Sequence, residues 1–290
     1  MPHPGWDTFA FDGIGTAWEI STPDPIAPAV RARLLQAVAD YDLSYSRFRP
    51  DSRIAELARA AVTVTLPEHA EQLEAVFRTL YRLSGGSMTP LVGGSLEQLG
   101  YGPDYALVPR GPARPAPRWE NVLRWDGTTV GCTEPVVLDV GAAGKGQLVD
   151  LLAEILRADG VTQYLVDGSG DMLHAGPAPV RVGLEHPYDP AQAIGVVELG
   201  NRALCASASN RRAWGDGLHH VLDAATGRPV DTVVATWTTA ACTLEADALA
   251  TALFLVEPGL LEEEFEFDWL RVFSDGRAHC SQGFEGVLFT

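Results

Sequence analysis

Basic charge is scarce in this chain. Its 290 residues carry 21 Lys and Arg against 38 Asp and Glu, a net charge of −17. Nucleic-acid binding needs Lys and Arg to displace condensed counterions, so that class of function is excluded. Docking on anionic lipid is excluded for the same reason. Long apolar runs are also missing, and no stretch approaches the roughly 20 residues of a membrane-spanning helix. No membrane insertion is therefore expected. The opening Met1-Pro2-His3-Pro4-Gly5-Trp6-Asp7 shows no basic segment leading into an apolar one, so a cytoplasmic protein is expected. Cysteine is rare. Cys132, Cys205, Cys242 and Cys280 are widely spaced without a CxxC pair, which excludes a zinc ribbon or disulfide frame and leaves small core hydrophobes. Lysine is rarest of all: Lys145 is the only one, and every other basic residue is Arg. A composition so biased would convert any lysine needed merely for charge, because a compact ammonium and a planar fork differ chiefly in fit. Lys145 therefore marks a tight site for phosphate or a flavin-like ring. Chance offers the competing account, since one lysine must lie somewhere.

What is present is ordinary for a globular protein, with 46% hydrophobic and 20% charged residues. The length suits one large domain or two lobes. Residues 8–20 read as strands joined at glycines, and 25–43 as a helix with Leu34, Val38 and Tyr41 on one face. Residues 50–58 predict a helix capped by Asp51 or Ser52, and 67–83 a helix stopping at Gly85-Gly86. Five prolines at 103, 109, 112, 115 and 117 predict a surface loop near 103–118. A strand at 136–140 leads into a glycine turn and a helix burying Leu148, Leu151, Leu152 and Ile155. Further strands are expected at 163–166, 180–184, 194–199, 219–222 and 233–239, then a helix over 245–256 and closing strands at 269–273 and 286–289. Strands and helices without clean βα alternation predict a mixed α/β (α+β) class, not a Rossmann fold.

Several constellations gather chemistry-bearing residues. In 139–150, N–H groups opening a helix present the positive end of the macrodipole to an anion, and Gly141, Gly144 and Gly146 clear the approach. This is no Walker A loop: Asp139 stands where its first Gly belongs, and Gly146 follows the lysine in place of Ser or Thr. A tight packing turn explains the glycines equally well. On the helix at 245–256, Asp247 and Thr251 lie four apart on one face. Such hard oxygen donors suit Mg²⁺, completed by water and substrate phosphate. Taken alone, a dipole-stabilising Asp and a Thr bonded back to a carbonyl account for them better. The turn 167–171 is small enough for close approach of a ring or ribose. In 219–229 either His219 or His220 is a candidate base, a structural histidine being the stronger account for each. Phe48, in 46–53, is placed to stack on an aromatic ligand.

Taken together and in order, these segments resemble the ApbE family of FAD:protein FMN transferases. The family's Leu-Asp run ending in Lys-Gly is similar to 138–146, its Gly-Gly-Asp to 169–171, its His-Ile-Ile-Asp-Pro run to 220–229, and its Ala-Asp-Ala-Leu-Ala-Thr-Ala-Leu stands intact at 246–253. The resemblance covers most of the chain. It implies one two-lobed domain over 1–290, with mixed sheets and flanking helices. It further implies FAD as substrate, Mg²⁺ at its pyrophosphate, and FMN transfer to a Ser or Thr hydroxyl of an acceptor flavoprotein with release of AMP. Mapped onto matching positions, Mg²⁺ is held by Asp247, Thr251 and the backbone of Ala142, with Ala250 nearby. FAD contacts fall to Phe48, Ser87, Met88, Thr89, Asp139, Lys145 and Val221, and the catalytic group is Asp247, Thr251 and Lys145.

The chain departs from the family pattern around the nucleotide. Thr89 stands where Asp is usual, Ala224 follows Asp223 in place of Pro, Ile14 replaces a common Met, and 206–211 lacks the family's aromatic. The metal pair is intact. No lipoprotein signal of the kind many envelope members carry is seen, in keeping with a cytoplasmic protein. Two other activities are compatible with the same residues: an FAD pyrophosphatase, with water in place of the acceptor, and a non-catalytic flavin-binding protein.

Overall fold

The computed structural model describes residues 5–289. Met1–Pro4, on which part of the leader expectation rests, lie outside the described residues. Eight strands form one antiparallel sheet in chain order: Asp7–Gly13, Thr16–Thr22, Tyr164–Asp167, Asp171–Ala175, Ala203–Ala208, Val233–Ala240, Phe267–Phe273 and Ala278–Cys280. The first hairpin closes with Gly13 opposite Thr16, so Ile14 and Gly15 alone make the turn, at φ 44° and 79°. A two-residue hairpin demands such left-handed backbone, which Gly15 adopts freely and Ile14 only under strain.

One face of the sheet carries the helices Pro28–Tyr45, Ala70–Leu83, Gly144–Ala158 and Thr243–Ala252 over the main core. The other face packs Leu204, Trp237 and Leu270 against a smaller sheet of Val180–His186, Asp189–Leu199 and Gly286–Leu288. Alternation along Val233–Ala240 shows how the central strand serves both layers. Ala235 and Trp237 enter the smaller core. Thr236 and Thr238 point the other way, and their hydroxyls donate to the Ala250 and Ala246 carbonyls at 2.6 Å each. Buried hydroxyls are thereby satisfied, and the Thr243–Ala252 helix is locked to the sheet. The mixed α/β class stands. Among the described residues no helix is long and apolar enough to cross a membrane.

Several expected elements differ. Residues 50–58 make only a 3₁₀ turn, Ile54–Glu56, with Ser52 Oγ accepting from Ala55 N–H at 3.2 Å. Ile54 and Leu57 fill the core from that single turn, and the chain then leaves for the strand Thr63–Thr65. Residues 136–140 join no sheet. Their backbone is tied singly, Val136 N–H to Leu57 O and Asp139 N–H to Pro90 O. The strand expected at 219–222 is split into bridges Leu218–His219 and Leu222–Asp223. In the Gly144–Ala158 helix the buried stripe is Leu148, Val149, Leu152 and Leu156, with Leu151 and Ile155 at its margin. Cys205 is core, but Cys280 is exposed; all four cysteines are free.

Candidate functional site

The site is built where two helices meet at their N-terminal ends. The Gly146 N–H donates to Asp247 Oδ2 at 2.9 Å. In return, the Thr243 and Leu244 N–H groups donate to Asp150 Oδ1 and Oδ2 at 3.0 and 2.8 Å. Each helix lends a carboxylate to the other's positive end, satisfying amides that have no intrahelical partner. A Cβ on Gly146 would lie 2.2 Å from Thr243 O and 2.7 Å from Asp247 Cβ. The expectation that Gly146 clears a path for a ligand is therefore corrected: its bare Cα admits a helix, and its amide serves a protein carboxylate.

Lys145 follows from the same turn. Its Nζ lies 2.8 Å from Asp171 Oδ2, and Asp171 is wholly buried at the start of its strand. Burial alone would lower the Lys145 pKa, but the Asp171 and Asp247 carboxylates outweigh it and hold the ammonium charged. Asp247 shows the opposite balance. Burial first, then the Asp171 charge, push its carboxyl up to about 8, with Lys145 and the Gly146 amide opposing only in part. Two buried carboxylates share one ammonium, so the site is short of positive charge. Thr251 Oγ1, one helical turn beyond Asp247, lies 3.3 Å from Ser207 Oγ and lines the same space. A carboxylate and a hydroxyl fit a hard divalent cation that keeps its waters. They form no closed cage: among the described residues no three His, Cys, Asp or Glu gather around one point. The Ala250 carbonyl, accepting from Thr236, is turned toward the sheet and away from this donor pair.

These groups lie on a cleft of two adjoining chambers, about 410 and 340 Å³, which meet along Asp139, Gly141, Lys145 and Arg212. The first chamber is aromatic. Phe48 stacks on Tyr105 at 5.2 Å between centroids, and Tyr101 stacks on Trp214 at 5.5 Å. Arg47 lies 4.2 Å over the Phe48 ring and donates to Asp139 Oδ2 at 2.5 Å. Asp139 Oδ1 accepts from Gly141 N–H at 2.7 Å. Burial would raise the Asp139 pKa, but Arg47 and that amide hold it below the usual carboxylate range. Asp139 thus stays ionised and stiffens the neck between the chambers. The second chamber is lined by Ser87, Met88, Thr89, Ala142, Val221, Asp247 and Thr251. Thr89 also caps the turn Pro90–Val92, its Oγ1 accepting from Leu91 N–H at 3.2 Å. Phe48, Ser87, Met88, Thr89, Asp139, Ala142, Lys145, Val221, Asp247 and Thr251 each line one chamber or the other, whereas Gly146, His219 and Ala250 line neither.

Sequence reasoning missed part of the lining. The proline-rich loop supplies Tyr105 and Leu107 to the aromatic wall, both at positive φ. It is pinned from behind, Leu107 N–H donating to Gly100 O and Ala116 N–H to Ala224 O. The two histidines divide. His219 is structural, its Nε2 meeting Val230 O at 2.8 Å. His220 lines the second chamber, with Nδ1 buried and free of any hydrogen-bond partner among the described residues. Burial, then the Arg212 charge, push its pKa down to about 3, so the ring is neutral at pH 7.

A profile of the ApbE family matches residues 14–265. The chain is 26% identical over 270 residues to an FAD:protein FMN transferase of Klebsiella pneumoniae (strain 342), covering 84% of this chain and 77% of that one. A Vibrio cholerae protein of the same name is 28% identical over 246 residues, covering 77% and 71%. In three dimensions the chain superposes on the ApbE protein of Thermotoga maritima MSB8 with a TM-score of 0.83 at 23% identity, over 97% and 99% of the two chains.

Proposed function

Because the chain belongs to the ApbE family, we propose that it is a Mg²⁺-dependent FAD:protein FMN transferase working as a single domain. The observation that carries this is the charge-deficient pair Asp171 and Asp247 around Lys145, which stands where the aromatic chamber meets the one that Asp247 lines. FAD has a matching layout, with rings at each end and a dianionic diphosphate between them. Asp247 and Thr251, with the backbone at Ala142, are the residues that would hold Mg²⁺. When bound, the ion would supply positive charge to the diphosphate of FAD.

The chain's own residues do the rest. Phe48, Tyr101, Tyr105 and Trp214 offer flat apolar surfaces for a ring. Lys145, held charged by Asp171, faces the centre of the cleft and stabilises charge that grows on phosphate oxygen as the bond breaks. The acceptor Ser or Thr hydroxyl forms a bond to the FMN phosphorus while the bond to the AMP oxygen breaks. His220, neutral and lining the second chamber, receives the hydroxyl proton on its ring. A nearby diphosphate raises the His220 pKa toward the range where that transfer is efficient.

The test is incubation with FAD, Mg²⁺ and a flavoprotein bearing an exposed Ser or Thr target, following AMP and protein-bound flavin. AMP matched by flavin on the acceptor is the expected result. AMP with free FMN, even with acceptor present, would instead make the protein a pyrophosphatase.

Lys145→Arg is expected to lower turnover by about a hundredfold while the melting temperature changes little. Asp171 is sealed from solvent and has room for a compact ammonium at 2.8 Å. A guanidinium would keep the charge but not the seat. Steady-state AMP release checks it; wild-type turnover would mean that Lys145 supplies charge and nothing more specific.

A further inference from the structure

We infer that Arg212 is the cleft's diphosphate clamp, a substrate-binding residue that grips the phosphates of FAD where the two chambers meet. This rests on the proposed use of FAD and adds the residue that recognises its charged middle.

Four cations line the cleft, and three are already engaged. Arg47 pairs with Asp139, Lys145 with Asp171 and Arg211 with Glu185. Arg212 lines both chambers, yet among the described residues no carboxylate lies within ion-pair distance of its guanidinium. The guanidinium lies 6.0 Å from the centroid of the Tyr101 ring. The neighbouring side chains show that this placement is built. In the 3₁₀ turn Ser209–Arg212, Asn210 Nδ2 donates to Pro187 O at 2.7 Å and Arg211 pairs with Glu185 at 3.0 Å. Glu185 lies on the strand Val180–His186 and Pro187 in the turn that follows it, and neither lines the cleft. With Asn210 and Arg211 both tied to that hairpin, Arg212 is the lining cation of this turn left without an ion-pair partner. Its charge is felt on opposite walls, lowering the pKa of Asp139, Asp247 and His220 alike.

An unpaired guanidinium at the neck of a two-chambered cleft suits a ligand whose anionic group lies between two rings. The planar fork offers paired N–H donors to phosphate oxygens, and that geometry is the reason for Arg over Lys.

The test compares FAD with riboflavin, which has the ring but no phosphate, by equilibrium titration with wild type, Arg212→Ala and Arg212→Lys. Arg212→Ala is expected to weaken FAD by at least about tenfold and leave riboflavin unchanged, with Arg212→Lys between. Equal losses for both ligands, or no loss for FAD, overturn the clamp. Failure of the wild type to bind FAD at all removes the functional proposal itself, and the clamp with it.

Discussion

Asp247→Asn is expected to lower Mg²⁺-stimulated AMP release by more than about a thousandfold while the protein remains folded. The amide keeps the shape of the carboxyl, and its oxygen can still accept from Gly146 N–H, which Asp247 does at 2.9 Å. What disappears is the negative charge that a divalent cation needs. The same substitution has a signature without substrate. The Asp247 carboxyl is raised from 3.8 to about 8, so the folded protein holds this proton more tightly than the unfolded chain does. Stability from this group is full below the lower value and is lost as pH rises toward the upper one. Metal-free wild type should therefore melt at progressively lower temperature from pH 5 to 8. The Asn variant, with nothing to titrate there, should lose less. At pH 8, adding Mg²⁺ to the FAD-bound protein should raise the wild-type melting temperature further and leave the FAD-bound variant where it was. Thermal melts across pH, with and without chelator, read all of this. Parallel pH curves for the two proteins would remove the charge-deficient site from the account.

The parts of the fold visible in the sequence are those whose burial has a period. The first hairpin shows itself through Gly13 and Gly15, and the helix Ala70–Leu83 through an apolar stripe ending at paired glycines. The central strand Ala203–Ala208 does not. Its residues Ala203, Leu204, Cys205, Ala206, Ser207 and Ala208 carry little β preference. They are small because the Thr243–Ala252 helix lies directly against them, and that helix is buried on nearly every side. Close packing of two small-residue elements erases the contrast on which a periodic pattern depends. At residues 136–140 the reverse happens: β-branched residues suggest a ladder, but the segment only crosses between core elements.

Site legibility follows a similar division. Lys145 stood out as the sole lysine, and Asp247 with Thr251 as an oxygen pair one turn apart. Neither feature reveals Asp171, because the partner of Lys145 is chosen by a strand 26 residues later. Arg212 was equally hidden, and His220 was visible only as one of two candidate histidines. Adjacent residues of one type are given different tasks: His219 is tied to Val230 O while His220 lines the second chamber, and Arg211 is paired with Glu185 while Arg212 has no such partner among the described residues. The aromatic wall draws Phe48, Tyr101, Tyr105 and Trp214 from distant segments, which no local spacing connects.

Gly146→Ala is expected to be among the most damaging single-methyl changes at the described glycines. The added carbon would meet the Thr243 carbonyl at 2.2 Å, and backbone cannot rotate aside as a side chain can. The two helices would have to part, stretching the Gly146 N–H bond to Asp247 and the Asp150 caps on Thr243 and Leu244 together. Overpacking of this kind costs about 3 kcal/mol, a fall of roughly 6–12 °C in melting temperature for a domain of this size. Activity should fall further than stability, because Lys145 and Asp247 are positioned by the same contact. Gly94→Ala supplies the control: that glycine lies in the helix Gly93–Gln98 with nothing within 4 Å of the added carbon. There alanine should be neutral or stabilise by up to about 1 kcal/mol through a less flexible unfolded chain. Calorimetric melting of both variants separates the cases. Equal melting temperatures would show that the helices have slack at Gly146, and the reciprocal capping would then not be what sets the site's geometry.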